Sequence, residues 1–304
     1  MRFAPLSPIL SIALALGPCA VASALPARAA TAAAHPAAAP LAAGPWTAEH
    51  DASPAFTPDG DTVVFARGHG ITRRLFISRR RDGHWSVPQP APFSGGAWMD
   101  LEPTMAPDGS YLVFVSNRPA RLDGKPLDGN YEGQFLPGRG GNLWRVEHTA
   151  HGWSSPRRLP DTVNAGSSVY APAVAADGSL YFMQPDPVTG HFRLYLSRFA
   201  NGHLQAPRAL PFSNGRLADY DPAIAPDQSF IVFSSDRPPS TDTSSAIFVA
   251  FATGGGWSAP IPLGPSGTES RLDPDRATLY FSAADKHVHR FALADWLKRH
   301  ASGE

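Results

Sequence analysis

The sequence predicts an all-β fold built from five similar units of about 50 residues, and three observations predict it. The first is a recurring stretch. Its clearest copy is residues 101–119, LEPTMAPDGSYLVFVSNRP; related copies begin at Ser53, Ala171 and Asp221, and a worn one begins at Glu269. Each copy has a Pro or its remnant, a small or apolar pair, a turn centred on Pro-Asp-Gly, and an alternating apolar run. Pro sets φ, Gly accepts a positive φ and Asp bonds its own backbone, so the stretch reads as strand, tight turn, strand. The second is spacing: the turn residues Asp59, Asp108, Asp177, Asp227 and Asp275 are 49, 69, 50 and 48 residues apart. The third is a closing segment, seen in Gly152-Trp153-Ser154-Ser155-Pro156, whose fifth copy is missing and is supplied ahead of the first unit by Gly44-Pro45-Trp46-Thr47. A four-stranded unit of this length that buries its faces only against its neighbours is a propeller blade. The expectation is a β-propeller of five four-stranded blades closed by an N-terminal strand carrying Trp46. Six blades is the alternative count, but a sixth would need about 40 further residues.

In chain order, residues 1–29 read as a signal peptide: Arg2, an apolar run from Ile9 to Leu16, and Ala27-Arg28-Ala29 as a small-x-small cleavage site. The run is too short to span a bilayer. Cys19, the one cysteine, follows Pro18, which argues against a lipid attachment box and for an exported chain without disulfides. Residues 30–43, rich in Ala and Pro, read as a flexible tether, and 44–304 as a single propeller domain. Within each unit the strand after the turn is short, aromatic and β-branched, as in Tyr111-Leu112-Val113-Phe114. A third strand follows, as in Leu143-Trp144-Arg145-Val146. The closing segment, with its terminal Pro, suits an outer edge strand. The last unit ends in Ala294-Asp295-Trp296-Leu297, a short helical tail.

The pattern P-x-(F/I/V)-(S/T/A)-P-D-G-x-x-(L/V)-x-F-S-S-(N/D)-R-P, followed by G-W-S-x-P, resembles the TolB-type, WD-like propeller repeat of exported bacterial proteins. The resemblance covers about Trp46 to Trp296. It implies a periplasmic or secreted binding or scaffold protein; some relatives are propeller domains attached to peptidases. The chain departs from the pattern where Ala176 replaces a turn Pro and where Gln228 and Arg276 replace turn Gly.

Topology separates two faces. The Pro-Asp-Gly turns share one; the crossovers into the inner strands and the loops after the second strands share the other. That second face carries charge. Asp51, Asp100 with Glu102, Asp219 with Asp221, and Glu269 precede the inner strands, interrupted in the third unit by Val169 and Ala171. Arg118 and Arg237 follow the second strands. One reading is structural: Arg118 with Asp100 or Glu102, and Arg237 with Asp219 or Asp221, as bidentate pairs that fix loops. The other is a carboxylate mouth that binds a cationic peptide or a divalent ion. Residues 120–141 form an insertion in the second unit. Its acidic spacing does not match a calcium loop, and it presents Tyr131 and Phe135 for a partner. His287 and His289 alternate along a strand but lack a third metal ligand and read as a surface pair.

Net charge is zero with 17% charged residues, and the run Arg79 to Arg81 is short, so nucleic-acid binding is not indicated. No G-x-S-x-G or H-E-x-x-H occurs. The reading is a monomeric, non-catalytic scaffold of the cell envelope that binds a protein or peptide, without cofactor or metal and without a membrane span. The alternative is a carbohydrate-active hydrolase using Asp100 or Glu102 with Asp219 or Asp221.

Overall fold

The computed structural model describes residues 39–40, 44–46, 48–121 and 123–301. The expected signal peptide, its cleavage site and Cys19 lie outside these residues, as does most of the expected tether. The five blades are there. Blade 1 is Ala52–Phe56, Thr62–Arg67, Arg74–Arg81 and Gln89–Pro90. Blade 2 is Asp100–Met105, Tyr111–Ser116, Asn142–Thr149 and Arg157–Arg158. Blade 3 is Tyr170–Val174, Leu180–Pro185, Phe192–Ser197 and Arg208–Ala209. Blade 4 is Asp219–Ile224, Phe230–Ser235, Ala246–Thr253 and Ile261–Ser266. Blade 5 is Thr268–Leu272, Thr278–Ser282 and Val288–Ala292, with Ala39–Pro40 as its outer strand.

The turn chemistry holds in every copy. Asp59, Asp108, Asp177, Asp227 and Asp275 each accept the backbone N–H two residues on, at 2.8–3.1 Å. Gln228 and Arg276 keep the positive φ of the Gly they replace, at 60° and 63°. The alternating strands place successive side chains on opposite faces of a blade. In blade 4, Ile231 and Phe233 enter the larger core, while Phe230 and Val232 enter a second core shared with blade 5 and Trp296 of the C-terminal helix, Leu293–Ala301.

The closing segment is split where one outer strand was expected. His84–Trp85 folds back on the end of the third strand, and the outer strand resumes only past Pro88, at Gln89–Pro90. The Ser between them is a two-way clip. Ser86 N–H donates to Arg79 O at 2.8 Å, and its Oγ accepts Arg79 N–H at 3.1 Å. Ser154 and Ser258 repeat both bonds.

Ring closure differs from the expectation in its residues. The N-terminal strand that completes blade 5 is Ala39–Pro40, paired with Arg290 and His289, inside the stretch read as tether. Trp46 is not on that strand. Its ring wedges between blades 1 and 5, edge-on to Phe56, Phe65 and Tyr280 with centroids about 6 Å away. A two-residue edge pairing needs backbone only, whereas a Trp needs a pocket, and the blade junction supplies one.

Each inner strand also carries a β-bulge that the sequence reading missed. The register shifts at the same place in all five. The bulged residues Ser53, Glu102, Ala171, Asp221 and Glu269 have φ of 47–57°, in the left-handed region. A bulge leaves one residue out of the ladder and bends the strand, and this bend sets the direction of the candidate site side chains.

Candidate functional site

The bulge divides the predicted carboxylates into two layers. Asp51, Asp100 and Asp219 lie just before it and are spent in ion pairs. Arg67 meets Asp51 through Nε at 2.6 Å and Nη2 at 2.7 Å. Arg118 binds both oxygens of Asp100, the Nη2 contact at 3.0 Å, and also donates to Phe93 O. Arg237 treats Asp219 and Phe212 O in the same way. Asp100 accepts a further hydrogen bond from Ser94, while Asp219 accepts from Ser213 and Ser235; Ser116 accepts from Arg118. Asp100 and Asp219 are fully buried. The sequence left two partners open for each Arg; the pairings are Arg118 with Asp100 and Arg237 with Asp219.

Glu102, Asp221 and Glu269 sit at the bulge itself and form a second layer. A bulged residue's N–H has no ladder partner, and a buried unpaired N–H is costly. The preceding blade supplies acceptors: Glu102 Oε2 takes Ala171 N–H at 2.6 Å, and Asp221 Oδ2 takes Glu269 N–H at 2.7 Å. Glu269 is bound by Arg73 Nη1 of blade 1 at 2.5 Å and by Ser282 Oγ at 2.8 Å. The three carboxylates are buried and sense one another. Burial and the charges of Asp221 and Glu269 push Glu102 up to about 8. Burial and Glu269 push Asp221 up to about 6. Burial also raises Glu269, but Arg73, Ser282 and Arg271 outweigh it and hold that group below its ordinary value. Burial thus favours the neutral acid at Glu102, while Arg73 favours the carboxylate at Glu269.

Arg67, Arg73, Arg271 and the five serines were not anticipated. Arg67 and Arg73 stand outside the Asn-Arg-Pro and Asp-Arg-Pro motifs that marked Arg118 and Arg237, and Arg271 sits in the most eroded repeat, so no local signal marked them. No group of three or more His, Cys, Asp or Glu side chains among the described residues has metal-binding geometry.

The described part of the insertion folds over this face. Gly129–Tyr131 and Gln134–Leu136 form a hairpin. Tyr131 is turned inward against Tyr170 and Phe192, which corrects its expected role as an exposed contact, while Phe135 is 67% exposed. At the hairpin tip Glu132 N–H donates to Gly190 O of blade 3, and Glu132 Oε1 accepts from Tyr220 of blade 4, whose hydroxyl also lies 3.0 Å from Asp236 Oδ2. His289 is buried and bonded to Asp285 at 2.9 Å, not part of an exposed pair.

Five blades around a channel, each with an Asp-centred turn on one face and a bulged inner strand, define a β-propeller. No family model and no curated protein matches the sequence. Among solved structures, a protein described as TolB of Agrobacterium tumefaciens superposes with a TM-score of 0.50 at 15% identity, over 77% of this chain and 69% of that one. TolB of Acinetobacter baumannii gives 0.43 at 15% identity, over 71% and 44%. This chain thus spans less than half of that protein's length. A gluconolactonase of Xanthomonas campestris gives 0.45 at 16% identity, over 81% and 76%. The fold is that of a TolB-like β-propeller. No helix among the described residues is long and apolar enough to cross a membrane.

Proposed function

We propose that this propeller is an exported, monomeric, non-catalytic scaffold that captures a protein or peptide of the cell envelope on the face crossed by the insertion. The observation that carries this reading is how the charges of that face are used. Asp51, Asp100 and Asp219 are neutralised by Arg67, Arg118 and Arg237, and Glu102, Asp221 and Glu269 lie in a buried layer. At the surface the hairpin exposes Phe135 on one strand and carries Glu132 at its tip, linked through the Tyr220 hydroxyl to Asp236. An apolar anchor with a carboxylate rim suits a basic segment that brings one apolar side chain. Crosslinking to envelope extract tests it: a partner captured by the parent protein should be lost from Phe135→Asp and weakened by Glu132→Lys. Capture unchanged in both variants would remove the support for this surface. Export is tested separately, by N-terminal sequencing of protein recovered outside the cytoplasm. Ala30 should be the first residue, and a retained Met1 would refute the assignment.

One observation favours a second reading, a hydrolase acting on carbohydrate. Glu102 is pushed up to about 8 while Glu269 is held low, the separation that lets one carboxyl act as acid and another as base. Turnover of aryl glycosides that disappears in Glu102→Gln would establish it; absence of turnover across a panel of glycosides would dismiss it.

A further inference from the structure

The channel end on the turn face is lined by the residue two past each bulge: Ala55, Thr104, Ala173 and Ala223 in blades 1 to 4, and Arg271 in blade 5. The small side chains leave a cavity of about 150 Å³ walled also by the prolines of four Pro-Asp turns. Arg271 is its one basic wall. The guanidinium reaches across the channel, where Nε donates to Pro103 O of blade 2 at 3.1 Å and Nη1 donates to Ser270 O at 2.7 Å. It is 4% exposed, yet Nη2 donates to nothing among the described residues. Arg67, Arg73, Arg118, Arg193 and Arg237 each hold a carboxylate. Arg271 has none within ion-pairing distance among the described residues; Glu102, Asp221 and Glu269 sense its charge only from further away. A buried guanidinium with an unused donor is an expensive arrangement.

We propose that the turn-face end of the channel binds a monocarboxylate on a short apolar stem, received by Nη2 of Arg271. Three features select that chemistry. A guanidinium edge matches carboxylate geometry and bonds it strongly. The Ala and Pro walls favour an apolar stem, and a cavity of about 150 Å³ accommodates a benzene ring. Asp273, the one acidic side chain on the wall, repels negative charge more strongly the more of it a ligand carries, so a single carboxylate is disfavoured less than a dicarboxylate or a phosphate. The site lies on the opposite face from the hairpin surface, so neither proposal depends on the other.

Calorimetric titration of the full chain with benzoate and butyrate, against benzamide and butyramide as neutral isosteres, tests the proposal. The acids should bind and the amides should bind about tenfold or more weakly. Arg271→Gln should lose acid binding. Because that change alters a buried group, Ala223→Leu provides an independent arm: it fills the cavity and leaves the guanidinium in place, and it too should abolish binding. Acids and amides that bind alike, acids that do not bind up to about 10 mM, or undiminished binding in folded Ala223→Leu would overturn the proposal. A short peptide ending in Ala, with a free or an amidated terminus, identifies the source. Binding of the free-acid form alone supports a chain terminus, and binding of the small acids without it supports a free acid.

Discussion

Glu102 links burial at one residue to the pH response of the protein. Its carboxyl, ordinarily near 4.5, is pushed up to about 8 in the folded state. Across that window the folded protein holds a proton that the unfolded chain has released. Stability from this group therefore falls as pH rises from about 4.5 to about 8, and is level above that. Asp221 acts in the same direction below about 6, and Glu269, held low, acts in the opposite sense under acid. Glu102→Gln keeps the acceptor for Ala171 N–H and removes the titration. Urea melts should show it more stable than the parent at pH 9, by on the order of 1 kcal/mol or more, with the difference shrinking towards pH 5. Asp100 makes a different kind of contribution. Asp100→Asn leaves the buried Arg118 without its countercharge and should cost about 3–5 kcal/mol, read as a fall in the urea midpoint at unchanged slope. An unchanged midpoint would show that the pair is not structural. The sequence did place Arg118 near an acidic pair, but which acid it meets depends on the bulge at Glu102, and no residue type announces a bulge of this kind.

At the scale of elements, the strand that closes the ring matters most. Ala39–Pro40 covers the outer edge of Val288–Ala292, which would otherwise present unpaired backbone groups to solvent or to another chain. A chain that begins at Gly44 should melt at lower temperature than one that begins at Ala30 and should self-associate more readily, seen by light scattering after heating. Equal melting of the two would show that the pairing contributes nothing. Trp46 was recognisable as a closing residue because its copies recur in blades 1, 2 and 4, at Trp85, Trp153 and Trp257. Its place was not, because the same indole serves on a third-strand hairpin in blade 2 and between blades here. The insertion shows the same limit. Its length was plain in the 69-residue interval, but the inward turn of Tyr131 depends on Tyr170 and Phe192 of the next blade.

For the whole molecule, closure decides how unfolding proceeds. An open array of repeats unfolds from its ends as a sum of neighbour contacts. Here blade 5 is joined back to blade 1 by Trp46, by Arg73 with Glu269, and by His50 N–H with Lys286 O. Thermal unfolding should be a single transition, with Trp fluorescence and far-ultraviolet circular dichroism changing together. Two separated transitions would mean that the ring is not a cooperative unit.

The sequence by itself determined the blade count, the Pro-Asp turns and the two-sided burial of each blade. These rest on turn chemistry and a two-residue period, which act over a few neighbours. Only the tertiary structure decided that Asp100 and Asp219 serve as struts while Glu102, Asp221 and Glu269 share a buried layer, and that Arg271 spans the channel. The struts join residues about 18 positions apart that the bulge brings together within one blade, and the buried layer and Arg271 join different blades, so their energies depend on distance and burial that only the folded ring sets.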